Sequence, residues 1–128
     1  MTKYLYFRAQ ATIGNDDATG DSACYPISSL LGMQPTADAT LTLYFKQLSN
    51  IFSDSAEDAD ADEGRTDTVD LTIPVNTHKT AMKVIADAIV YSNEAFVVVG
   101  DNLSSDTEYL NGSGITAIAT ITVRGIND

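Results

Sequence analysis

The chain has 128 residues, 44% of them apolar, and its 18 acidic against seven basic residues give a formal charge of −11. That length supports one domain over residues 1–128 with a core of its own. The charge excludes direct binding of DNA or RNA and repels anionic lipid, because displacing counterions from phosphates takes a cationic footprint.

No window approaches the roughly 18 apolar residues of a membrane helix. The apolar run at the N-terminus is interrupted by Arg8 and Gln10, so no signal peptide is expected and the chain should act where it is made. One cysteine, Cys24, excludes an internal disulfide and a cysteine-built zinc site, and reads as a small buried hydrophobe.

Residues 3–12 alternate with period two and predict a strand, Leu5, Phe7, Ala9 and Ala11 pointing one way, Tyr4, Tyr6, Arg8 and Gln10 the other. Residues 14–22 (GNDDATGDS) read as a loop. Residues 23–39 read as an irregular connector, because Pro26 and Pro35 lack a backbone donor and Gly32 breaks any period. Its apolar members, Tyr25, Ile27, Leu30, Leu31 and Met33, predict a loop pinned to the body or docked on a neighbouring subunit. Residues 40–47 form the clearest strand, with Leu41, Leu43 and Phe45 alternating against Thr42, Tyr44 and Lys46.

Residues 54–67 (DSAEDADADEGRTD) hold seven acidic side chains and nothing to bury, which predicts an exposed acidic loop at about residues 53–67. Asp58, Asp60 and Asp62 have the alternate spacing of an EF-hand loop. That loop needs Gly at its sixth position and Glu at its twelfth, where this chain has Glu63 and Val69. The three aspartates are weak metal candidates, set against a solvated loop. Residues 68–74 return to strand with Val69, Leu71 and Ile73 inward, as the antiparallel neighbour of the strand before the loop.

Residues 76–93 carry the helical period. Ala81, Met82, Ile85, Ala88 and Ile89 make one stripe, and Lys83 and Asp87 form an i, i+4 pair on another face. The helix is expected at about residues 77–91, capped by Asn76 or Thr77. Residues 94–100 (EAFVVVG) read as a central strand covered on both sides. Residues 107–110 read as a short strand, 111–114 (NGSG) as a tight turn, and 115–124 as a long strand. In that last strand Ile115, Ala117, Ala119, Ile121 and Val123 face the core and offer a floor for the helix, leaving Ile118 outside.

Catalysis finds no motif. His78 is the only histidine, at a helix start where capping is the ordinary role, and no serine, cysteine or carboxylate pair stands in a nucleophile or acid–base context. No enzyme and no cofactor are expected.

Three stretches, MTKYLYFRAQATIGNDDATGDSACYP, GMQPTADATLTLYF (residues 32–45) and NTHKTAMKVIADAI (residues 76–89), resemble small proteins encoded in the structural-gene regions of marine tailed phages, including those of cyanobacteria and of uncultured seawater viruses. The resemblance implies a virion-associated protein, a capsid-decorating or neck component, found in the virion or the host bacterial cytoplasm, with a capsid protein as partner. It brings no site residues with it.

The expected fold is α+β: a mostly antiparallel sheet of five or six strands with one helix packed across one face. Tyr4, Tyr6, Tyr44 and Ile118 would then expose an apolar patch, which predicts a homo-oligomer, a trimer or larger ring, meeting through those residues. The alternative function is a small acidic binding module that captures a cation or small ligand through the loop at 54–67.

Overall fold

The computed structural model describes residues 3–14, 18, 20–46 and 66–123. The chain is α+β, with eight strands and one helix among the described residues. In order these are β1 (Tyr4–Arg8), β2 (Ser22–Pro26), β3 (Leu30–Ala37), β4 (Thr40–Lys46), β5 (Thr66–Thr72), α1 (His78–Tyr91), β6 (Phe96–Asp101), β7 (Glu108–Tyr109) and β8 (Ala117–Thr122). All six expected strands and the helix are present. The strands divide between two four-stranded sheets, ordered β2-β1-β6-β7 and β3-β4-β5-β8. Every pairing is antiparallel except β1 with β6.

The inward residues of the two sheets share one core. Leu5, Phe7, Tyr25, Val97 and Val99 from the first sheet meet Leu41, Leu43, Phe45, Val69 and Leu71 from the second. Phe45 stacks on Tyr25 at 4.1 Å between ring centroids and meets Phe7 edge-on at 5.7 Å, an arrangement that adds to the area term. Gly100 of the first sheet packs directly on the second: a Cβ there would collide with the side chain of Ile118.

Residues 23–39 are not an irregular connector. They form β2, a 3-10 turn at Ile27–Ser29, and β3. Pro26 is the last residue of β2, and Pro35 lies on β3, an edge strand, where a missing N–H costs little. Two bulges, with Leu31 and Thr36 as the extra residues, erase the alternation that would have marked β3 as a strand. Phe96–Asp101 is a central strand, but its outer face stays uncovered, with Phe96 51% exposed.

Helix α1 packs against β4 of one sheet and β6 of the other, in place of the expected floor on the last strand. It closes the end of the sandwich where β1, β4 and β6 begin, with Ala81 and Ile85 in the core. Thr77 is the N-cap residue but does not cap with its side chain. Its hydroxyl turns back and donates to the Pro74 carbonyl at 2.7 Å. His78 Nε2 lies 2.9 Å from the Ala37 carbonyl and 3.1 Å from that of Thr40. Two acceptors require that this nitrogen carry the proton. Lys3 Nζ donates to the Ile89 carbonyl at the far end, so both ends of α1 are tied to the sheets. No helix among the described residues is long and apolar enough to cross a membrane.

Candidate functional site

The residues expected to form one apolar patch fall in three places. Tyr4 and Tyr6 point outward from β1, where the register sets Tyr4 beside Phe96 and Pro26, and Tyr6 beside Val98 and Cys24. These side chains make an uncharged strip on the outer face of the first sheet. Tyr4 is 42% exposed, and the Tyr6 and Phe96 rings lie 5.1 Å apart. Phe96, Val98 and Cys24 are the members that sequence reading missed. The continuous apolar run at 96–99 held the signal, but it also fits a strand covered on both faces. Burial pushes the Cys24 thiol up from its ordinary range, so it stays protonated near neutral pH and is a poor nucleophile.

Tyr44 lies on the outer face of the other sheet, on the far side of the sandwich. Ile118 does not reach a surface at all, being 2% exposed. Asp70 pairs with Thr120 and Leu71 with Ile118, so Ala119 is an extra residue in β8. That bulge reverses the alternation, turning Ile118 inward and leaving Ala119 exposed. Ile118 is therefore a core residue, not an interface candidate.

The outer face of the second sheet is polar around β4, whereas the first carries its uncharged strip up to Arg8, which lies beside Asp101. Thr42 donates to Asp70 Oδ1 at 2.8 Å. Its single hydrogen being used, Thr36 must be the donor in the 2.8 Å contact between the two hydroxyls. Beside this relay Tyr44 Oη donates to Gln34 Oε1 at 3.0 Å. A shallow depression of about 420 Å³ opens there, lined by Leu31, Gly32, Met33, Gln34 and Tyr44.

Asp58, Asp60 and Asp62 lie outside the described residues. The acidic loop ends earlier than expected, because β5 begins at Thr66 and Asp67 is fully buried. Asp67 falls on the inward parity of Val69 and Leu71, and its Oδ2 accepts a 2.8 Å hydrogen bond from Tyr25 Oη. Among the described residues no group of three or more His, Cys, Asp and Glu side chains gathers as a metal site. His78 serves as the pin between α1 and the turn before β4.

A second polar anchor, Asn102, was invisible to sequence reading, since DNLSSD reads only as a turn. Its Nδ2 donates to the carbonyls of Ala9 at 3.0 Å and Ile118 at 2.8 Å. Its Oδ1 accepts from Tyr109 Oη at 2.6 Å and from the Ile118 amide at 3.0 Å. One side chain, with both donors and both acceptor positions used, thereby ties the first sheet to the bulge in β8. Compared with known proteins, the chain matches no family model, no curated protein and no solved structure.

Proposed function

We propose that this chain is a non-catalytic assembly protein that forms a homo-oligomer through the outer face of its first sheet, as a capsid-decorating or neck component of a marine tailed phage. The observation that carries the reading is the strip of Tyr4, Tyr6, Phe96, Val98 and Cys24, with Tyr4 and Phe96 exposed and no charged member, on a chain of net charge −11. Copies of so acidic a protein repel one another over most of their surface. The strip is where two copies meet without opposed charges, and burying it removes apolar area from water at roughly 25 cal/mol per Å². The phage assignment rests on the resemblance of residues 1–26, 32–45 and 76–89, together with the small, acidic, β-rich character of the chain.

Size exclusion with light scattering tests the assembly reading. The wild-type chain should run as an integral multiple of 13.7 kDa, and the double variant Tyr6→Glu, Phe96→Glu as a monomer with an unchanged melting temperature. Tyr44→Glu, on the opposite face, should keep the wild-type mass. A wild-type monomer at micromolar concentration sinks the reading. Sedimentation with purified phage heads tests the virion role separately: an oligomer that stays in the supernatant retains the assembly reading and loses the phage one.

A further inference from the structure

We propose that the depression beside Tyr44 is a binding site for a neutral saccharide, which lies flat with a pyranose ring against the tyrosine. Gly32 stands directly opposite Tyr44 in the β3–β4 register. Gly32 has no side chain to reach over the ring, and a Cβ built there meets no heavy atom within 4 Å, so the space beside Tyr44 is open. A half-exposed aromatic ring on an open, shallow surface presents its electron-rich face to the weakly positive C–H groups of a sugar.

The polar groups at the rim narrow the class. Tyr44 Oη spends its hydrogen on Gln34 Oε1, which leaves the amide NH2 of Gln34 as donor and the phenol oxygen as acceptor. A polyhydroxylated ligand satisfies both, whereas a wholly apolar one would bury them unpaired, at the cost of their desolvation. Among the described residues no acidic or basic side chain lines the depression, and the net charge of −11 repels anions. A peptide strand is disfavoured as well. The β3 edge is broken by bulges at Leu31 and Thr36 and by Pro35, so it offers no continuous ladder to extend. Leu31, 57% exposed, extends the apolar floor beyond one ring, the footprint of a chain of sugars rather than a monosaccharide.

The test is a titration of the intact, isotope-labelled chain, followed by amide chemical shifts, with four probes: cellohexaose, maltohexaose, laminarihexaose and chitohexaose. At least one should shift the amides of Leu31, Gly32, Gln34 and Tyr44 in a saturable way, with an apparent Kd of about 1 mM or tighter. Tyr44→Ala should weaken that binding at least about tenfold. Gly32→Val is the decisive variant. Gly32 follows the bulge at Leu31 but its φ is not in the left-handed region, and the space is open, so valine should be accommodated at the wild-type melting temperature, project its methyl groups over the depression and abolish the shifts. No saturable shift at this site with any probe overturns the proposal. So does undiminished binding by Gly32→Val, or a response at this site to an apolar peptide alone.

Discussion

Tyr25 and Asp67 are the pair whose chemistry reaches furthest from two side chains. Both are fully buried, and the phenol donates to the carboxylate across the two sheets. Burial first, then this hydrogen bond and the nearby charge, push the phenol far above its ordinary value. The folded chain therefore keeps a proton that the unfolded chain releases near pH 10. The stabilisation is complete below that pH and falls as pH rises above it, by up to about 1.4 kcal/mol per pH unit. Tyr109, raised by burial and then by the Asp101 charge, adds in the same direction. Tyr25→Phe should cost about 1–3 kcal/mol at neutral pH by taking a donor from a buried carboxylate. It should also flatten the loss of urea resistance between about pH 9 and 11. Parallel pH curves for the two proteins would rule out this coupling. The pair was illegible in the sequence because Asp67 stands at the end of an acidic run, and only the parity of Val69 and Leu71 hints that it turns inward.

At the scale of elements, alternation located β1, β4 and β5, although β1 stops at Arg8 instead of running to residue 12 and β5 is Thr66–Thr72 instead of 68–74, and the 3.6-residue period predicted α1 to within a residue. It failed where a bulge adds a residue. The extra Ala119 turns Ile118 into the core, and the extra Leu31 and Thr36 hide β3. Asn102 is the counterpart of the β8 bulge, since its amide pairs with both backbone groups of Ile118. Asn102→Asp replaces a donor of two hydrogen bonds with an acceptor facing two carbonyls. That change should lower stability by about 3 kcal/mol or more, and should speed hydrogen exchange at the Ile118 amide. An unchanged urea midpoint would show that the sheets hold together without this clamp. The ion pair Lys83–Asp87 is the contrasting case: it was predicted from spacing and forms at 3.1 Å. Both partners lie largely in water, so it adds little to stability.

For the whole molecule, charge and shape act together. The apolar strip faces away from the first sheet and the Tyr44 depression faces away from the second, so self-association and ligand binding use opposite sides of the sandwich. Because assembly through an uncharged strip works against the repulsion of −11 per chain, added salt should strengthen it. The dissociation constant should tighten as ionic strength rises from about 0.01 M to about 0.5 M. Weakening over that range would point instead to an interface built on ion pairs. The sequence by itself determined the α+β class, the helix, six of the eight described strands and the net negative charge. These follow from local periodicity and composition, which no distant contact alters. Tertiary structure alone decided that the strands form two sheets, which tyrosines share a face, and that Gly32 stands opposite Tyr44. Each of these depends on strand pairing and register between residues distant in the chain, which alternation within one strand leaves unspecified.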